Sequence, residues 1–280
     1  MQITNQNIIV LGGTGKTGRR VAERLRARDL PVRIGSRSGE PPFDWEDRST
    51  WAPALSGASA AYVSFYPDLA VPGAPEAIGA LAEQALAVGC RRLVLLSGRG
   101  EEEAERAERV LAESGAEWTV LRCSWFMQNF SEGDFAEPIA AGELALPAGE
   151  VRAPFVDAED IADVAVAALT EDGHAGRVYE LTGPRALDHA EVAEQIGEAT
   201  GRPVRYVPIP LEAFTAALAD EGLPPDVVGL LRYLFEEVLV DANADPADGV
   251  RQALGREPRS FADFARDAAR DGAWDLTQAA

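Results

Sequence analysis

Short apolar runs alternate with amphipathic segments along the first half of the chain. The first run, Ile8–Leu11, is fully apolar, which is typical of a central parallel strand with both faces buried. Glycines follow, and then a helical pattern in which Val21 and Leu25 lie one turn apart. The same pattern predicts further strands at 31–35, 60–65, 92–97 and 118–122, and helices at 74–88 and 102–113. Four β–α units in series predict a parallel, right-handed, doubly wound α/β sheet of the Rossmann type.

The alternation is less regular in the second half of the chain. A helix is predicted at 161–169, capped by Asp157 or Asp160, and another at 260–270, capped by Ser260. The remaining predicted elements are strands at 153–156 and 177–182 and helices near 188–199, 211–220 and 226–238. We therefore predict a nucleotide-binding domain at 1–150, whose sheet is completed by parts of 151–182. A smaller, mixed α/β substrate lobe is predicted at 183–280.

The glycine-rich turn between the first strand and the first helix is the strongest indication of a ligand. Gly12 permits a tight turn, Gly15 lets backbone N–H groups approach a pyrophosphate, and Gly18 lets the helix pack closely on the strand. The helix N-terminus supplies free N–H donors and a positive dipole end. A sharp turn without a ligand is the simpler alternative. A P-loop is disfavoured because Val10 stands where that motif needs a glycine.

The end of the second predicted strand indicates which dinucleotide would bind. Sites for NAD usually place an acidic residue there to accept the ribose 2′-hydroxyl. This chain has Ser36-Arg37-Ser38 instead, and a guanidinium can pair with a 2′-phosphate through two hydrogen bonds. We therefore expect NADP(H) rather than NAD(H), although Arg37 could also be an ordinary exposed loop residue.

Composition narrows the classes of function. The net charge of −20 argues against a nucleic-acid partner, and no apolar stretch approaches the length of about 20 residues that a membrane span needs. Two cysteines, Cys90 and Cys123, cannot form a disulfide framework, which favours a cytoplasmic protein. His174 and His189 are too few for a metal site and are expected at the surface or in loops. The expected partner is a small molecule, with the chain as a monomer or homodimer.

Several motifs in order along nearly the whole chain give it a family resemblance. The chain resembles the NmrA-like branch of the atypical short-chain dehydrogenases, and segment 125–130, Trp-Phe-Met-Gln-Asn-Phe, is similar to the reductases of ergot alkaloid biosynthesis. The other matching segments are 12–18, Ser36-Arg37, 114–122, 154–157, 160–162, 179–183, 201–203 and 254–256.

The resemblance implies an NADP(H)-binding Rossmann domain with a small C-terminal lobe over the nicotinamide, and it assigns roles to particular residues. The implied pyrophosphate residues are Gly12, Thr14, Gly15, Thr17 and Gly18. Ser36 and Arg37 would hold the 2′-phosphate, and Ser64, Phe65 and Tyr66 would line the adenosine side. The residues implied at the nicotinamide are Ser97, Cys123 and Ser124, and those at the substrate are Trp125, Phe126 and Asn129. Trp125, Phe126 and Phe130 are also spaced roughly as one helix face, so they could instead be core residues.

One departure from the family pattern affects the chemistry. Short-chain dehydrogenases normally use a Tyr-x-x-x-Lys pair for proton transfer, but the corresponding helix, 98–108, has neither residue, and Lys16 is the single lysine of the chain. One hypothesis is a reductase whose acceptor, an iminium, quinone or enone, needs little acid help, with Tyr66 or Glu101 as weak candidates for a proton source. The alternative is a non-catalytic NADP(H) sensor that docks a protein through the acidic helix 101–108.

Overall fold

The computed structural model describes residues 7–275, which divide into two compact units. The first unit contains the described residues up to Cys123, together with Ala158–Leu181 and Asp248–Arg256. The second contains Ser124–Asp157, Thr182–Ala247 and the described residues from Glu257 onward. The units therefore interleave along the chain.

The structure contains eight strands and eleven α-helices within residues 7–275. The strands are β1 (Ile8–Leu11), β2 (Val32–Gly35), β3 (Ala60–Val63), β4 (Arg92–Gly98), β5 (Glu117–Cys123), β6 (Glu143–Leu146), β7 (Arg177–Leu181) and β8 (Arg205–Pro208). The helices are α1 (Lys16–Ala27), α2 (Trp51–Leu55), α3 (Ala74–Ala87), α4 (Glu102–Glu113), α5 (Ala136–Ala140), α6 (Ala158–Thr170), α7 (His189–Thr200), α8 (Leu211–Asp220), α9 (Pro225–Tyr233), α10 (Gly249–Leu254) and α11 (Phe261–Arg270).

The first unit is built on a parallel sheet of six strands in the order β2-β1-β3-β4-β5-β7. Helix α1 packs with α6, and α3 packs with α4, so the helices form two layers as predicted for a Rossmann-type sheet. The strand order reverses between β1 and β3. In such sheets ligands bind beyond the carboxyl ends of the strands, at the point of reversal.

The second unit contains a small parallel sheet of β6 and β8 that the sequence analysis did not predict. Both strands are only four residues long, and β8 has no fully buried residue, so neither has the continuous apolar run that marks β1. The predicted strand at 153–156 is wrong. In that segment Ala153 forms only an isolated bridge to Leu187, and Val156 forms one to Phe126.

Each unit has its own apolar core. In the first unit, Trp51 and Leu55 of α2 lie fully buried in a cluster with residues of β1, β3 and β4. In the second unit, Phe130, Phe155 and Phe261 meet with ring centroids between 5.3 and 6.0 Å apart. Two apolar cores explain why contacts concentrate within the units.

Two smaller expectations were incorrect. Asp160 does not cap α6, because it lies inside that helix, fully buried, and pairs with Arg256 at 2.7 Å; the helix begins directly after Asp157. His189 is not in a loop or at the surface, because it begins α7 with 1% exposure; His174 does lie in a loop, buried, with a ring nitrogen 2.9 Å from the Tyr179 hydroxyl. No helix in the described part of the chain combines the length and apolar character needed to cross a membrane.

Candidate functional site

The turn after β1 has a geometry that requires glycine at two positions. Gly12 has a φ of +71°, in the left-handed region, and a Cβ on it would come within 3.0 Å of Ser64. Gly18, in the first turns of α1, packs directly against the carbonyl oxygen of Gly12, where a side chain would collide with backbone. The two glycines therefore bring β1, the turn and α1 together as the spacing predicted.

Helix α1 follows this turn, and the N–H groups at its N-terminus are open to a ligand. Gly15 is its N-cap residue, so no side chain caps the first N–H groups, and the first turn carries no acidic residue. Thr14 and Gly15 are exposed, whereas Thr17 is buried and accepts a hydrogen bond from the Tyr62 hydroxyl at 2.9 Å. A twelve-residue helix with uncapped N–H donors at its N-terminus is suited to bind an anion.

The loop after β2 lies beside the glycine turn. The Gly12 N–H donates to the Gly35 carbonyl at 3.2 Å, which joins the two strand ends. The Ser36 carbonyl accepts from Gly39 and Phe43, at 2.9 Å each, and closes a compact loop. Arg37 in this loop is exposed, and no residue in the described range 7–275 hydrogen-bonds or ion-pairs with its guanidinium. The cation is therefore available for a ligand at the end of β2.

The segment after β3 is held by aromatic residues. The Trp45 indole N–H donates to the Ser64 carbonyl at 3.2 Å, and its ring lies 4.8 Å from that of Phe65. Tyr66, the next residue, is 71% exposed. Trp45 is therefore a positioning residue for the segment after β3. The structure thus brings Ser64 against Gly12 and leaves Tyr66 accessible.

The ends of β4 and β5 carry a buried polar cluster. The Ser97 hydroxyl donates to Glu108 of α4 at 2.6 Å, and Glu108 also accepts from Arg122 of β5. Cys123 pairs in register with Gly98, and burial raises the pKa of its thiol well above the usual range. The Ser97 hydroxyl therefore points to α4, and Cys123 has a neutral thiol at the carboxyl end of β5.

A second buried acidic side chain lies just beyond the carboxyl end of β4. Glu101, between β4 and α4, is 8% exposed, and its carboxyl group lies within hydrogen-bonding reach of that of Asp68, which follows β3. Burial first, and then the neighbouring Asp68, raise the pKa of Glu101 to about 9. Sequence analysis missed Asp68, although its position just after a central strand could have indicated it.

The substrate candidates lie in the second unit. Trp125 is partly exposed and packs on Phe235 with ring centroids 5.1 Å apart, and Phe126 is also partly exposed. Both precede the 3₁₀ turn Met127–Phe130, in which Asn129 is partly exposed and Phe130 is buried. Ser124 is 8% exposed. The segment is therefore not one continuous helix, and of its three aromatic residues Phe130 is the one in the core.

The residues of the first unit fit a pyridine dinucleotide. The close approach of Gly18 to Gly12 leaves the end of α1 open to a diphosphate, and Arg37 stands at the end of the adjacent strand. Gly12, Thr14 and Gly15 would hold the diphosphate, and Ser36 and Arg37 the adenosine ribose. Bound NAD(P)H would supply a hydride.

Comparisons with known proteins agree with this geometry. The NmrA-like family model matches residues 104–263, and an NAD(P)H-binding family model matches residues 12–172. The chain is 34% identical to the NAD(P)H azoreductase of Xenophilus azovorans, across 92% of this chain and 96% of that protein. It is 32% identical to the agroclavine dehydrogenase of Claviceps fusiformis, across 93% and 96% of the two chains.

Solved structures share the fold of this chain. The NADPH-dependent quinone oxidoreductase of Escherichia coli, crystallised with NADPH, matches with a TM-score of 0.76 at 22% identity, across 93% of this chain and 99% of that one. The resemblance seen in the sequence, including that to ergot alkaloid reductases, is confirmed. The chain belongs to the NmrA-like family, among its NAD(P)H-dependent reductases.

Proposed function

We propose that this NAD(P)H-dependent reductase uses NADPH in preference to NADH and transfers hydride to a small, flat acceptor. The acceptor class comprises quinones, enones, azo compounds and cyclic iminium ions. The observation that carries the cofactor preference is the exposed guanidinium of Arg37 beside Ser36, with no acidic residue at the end of β2. A 2′-phosphate gives that cation a partner, whereas a 2′-hydroxyl does not.

The acceptor class rests on the aromatic residues of the second unit and on two relatives. Trp125 offers a partly exposed, rigid ring supported by Phe235, and a flat apolar molecule packs well on such a surface. The names of the relatives, an azoreductase and an agroclavine dehydrogenase, describe reactions on aromatic or polycyclic molecules. Helix α4 carries no Tyr-x-x-x-Lys pair, so the acceptor must accept hydride without that acid.

Replacement of Arg37 by alanine tests the cofactor preference. We expect Arg37→Ala to weaken NADPH binding about 10- to 100-fold, because a charge-assisted pair with the 2′-phosphate is lost. Binding of NADH should change by less than about 3-fold. Calorimetric titration of both nucleotides measures the effect, and Arg91→Ala, which removes an exposed arginine at the start of β4, controls for net charge.

Equal loss of NADPH and NADH affinity in Arg37→Ala would contradict the assignment of the 2′-phosphate. Turnover is tested separately with one quinone, one enone, one azo dye and one cyclic iminium. We expect NADPH oxidation with at least one of them. Tight NADPH binding with no oxidation by any of the four would favour the alternative of a sensor.

A further inference from the structure

Two carboxyl groups meet at the carboxyl ends of adjacent strands of the central sheet. Asp68 lies in the segment that follows β3, and Glu101 lies between β4 and α4. Their side chains lie within hydrogen-bonding reach of each other. An ionised carboxylate can only accept hydrogen bonds, so two carboxyl groups can share one only if one of them carries a proton. A hydrogen bond between them therefore requires a proton on one of the two carboxyl groups.

The backbone around Glu101 is shaped to admit its carboxyl group. At Gly98, the last residue of β4, a Cβ atom would overlap the Glu101 carboxyl group. The carboxyl group therefore occupies the place that a side chain at position 98 would take, directly on the end of a central strand. Asp68 also accepts the Ala70 backbone N–H at 2.8 Å, a contact that favours its carboxylate form and therefore a proton on Glu101.

The groups around this pair favour the protonated state. Those that act on Glu101 are Asp68 of the β3 loop and Glu108 of α4, and Glu101 in turn acts on the buried Cys123 thiol of β5. None of them is a cation. Two arginines at these strand ends pair with other carboxylates: Arg122 with Glu108 and with Glu180, the latter at 3.2 Å, and Arg99 with Glu180 at 3.3 Å. Because Glu101 is also 8% exposed, little water reaches its charged form.

We propose that Asp68 and Glu101 share one proton at the carboxyl ends of β3 and β4, and that Glu101 is the catalytic acid of the reductase. The proposal rests on the proposed function, because a proton donor has a role only if hydride is transferred. It places the acid at the strand ends where a parallel sheet binds its ligands. It also supplies the proton source that the missing Tyr-x-x-x-Lys pair leaves open.

The step balances for three of the proposed acceptors. A quinone, an enone or an azo compound gains two electrons and one hydrogen as hydride, and bound NADPH is left as NADP⁺. The O–H bond of Glu101 breaks, and its proton forms an O–H, C–H or N–H bond on the reduced acceptor. Glu101 is left as a carboxylate and regains a proton from water through Asp68, the more exposed of the pair. An iminium ion needs no proton, because hydride alone neutralises it.

The first test uses the protein without cofactor or acceptor. Infrared titration of the apoprotein should show a protonated carboxyl band at neutral pH that is absent in Glu101→Gln. The band should persist in Glu102→Gln, the matched control, whose carboxylate is exposed on the same helix end. A band that is absent in the unmodified protein, or unchanged in Glu101→Gln, would overturn the shared proton.

The same apoprotein gives a second readout through its stability. Between pH 4.5 and about 9 the folded chain keeps a proton on Glu101 that the unfolded chain releases, because the pKa is raised on folding. Thermal stability should therefore fall as the pH rises through this window, and it should fall less in Glu101→Gln. Equal pH dependence in the two proteins would contradict the shared proton.

The catalytic role is tested by comparing acceptors. With a quinone or azo dye at neutral pH, Glu101→Gln should lower the turnover rate about 100-fold, the usual contribution of a general acid, while Glu102→Gln should not. With a cyclic iminium, Glu101→Gln should change the rate by less than about 3-fold, because no proton is needed. An equal loss for both acceptor types would overturn the role as acid.

The failure of this proposal and the failure of the proposed function are distinguishable. If the infrared band and the pH-dependent stability behave as expected but no acceptor is reduced, the shared proton exists and the reductase assignment fails. If acceptors are reduced and Glu101→Gln keeps full turnover of the quinone, the reductase stands and the acid lies elsewhere.

Discussion

At the scale of single residues, the account depends on how closely two glycines approach each other. Gly18 touches the Gly12 carbonyl, and Gly12 adopts a φ of +71°. The glycine spacing predicted this contact correctly because the motif itself fixes the local backbone. The Asp68–Glu101 pair could not be predicted in the same way. Glu101 was recognised as a weak candidate, but its partner comes from another strand end, and only the folded sheet brings the two together.

Adding one methyl group at Gly18 tests whether the glycine turn holds the diphosphate. Gly18→Ala places a Cβ against the Gly12 carbonyl, so the turn must shift. We expect a loss of stability of about 1–3 kcal/mol from overpacking, and a loss of NADPH affinity of at least about 10-fold. Gly229→Ala is the matched control, because Gly229 is helical and a Cβ there meets no atom within 4 Å. If both variants bind NADPH equally well, the turn does not hold the diphosphate.

At the scale of elements, the connection between β4, α4 and β5 shows what a sequence pattern conveys and what it leaves out. The bounds of α4 were predicted correctly, because alanine and leucine recur at helical spacing. The same pattern does not distinguish a buried glutamate of this helix from the exposed ones. In the structure Glu108 is 5% exposed and pairs with Ser97 of β4 and Arg122 of β5. A buried carboxylate with partners on two strands cannot be recognised from one helix.

Removing the charge of Glu108 tests how much this buried cluster contributes to the free energy of unfolding. We expect Glu108→Gln to destabilise the chain by about 3 kcal/mol, because Arg122 keeps its charge and loses its buried partner. Glu105→Gln, which alters an exposed pair on the same helix with Arg109 at 3.9 Å, should change stability by less than about 1 kcal/mol. Urea unfolding measures both variants. Similar values for the two would show that the buried pair contributes little.

At the scale of the whole molecule, the chain alternates between its two units more often than the sequence indicated. Segment 248–256 returns to the first unit, where Gly249 packs directly on the backbone of Glu180 in β7. Nothing in the local pattern of α10 marks this return, because the contact joins residues far apart in sequence. The parallel sheet was predictable, since each buried strand and its helix are local features. The assignment of 124–157 to the second unit was not.

The most direct test of the account follows the hydride itself. Purified protein is mixed with NADPH carrying deuterium on one face or the other of the nicotinamide C4, together with a quinone or an azo dye, and the deuterium in the resulting NADP⁺ is measured. We predict that the hydrogen leaves from one face only, because a cofactor held at the glycine turn and at Arg37 presents its ring in a single orientation. Loss of deuterium from both faces alike, or no oxidation of NADPH by a protein shown to be folded, would contradict the account.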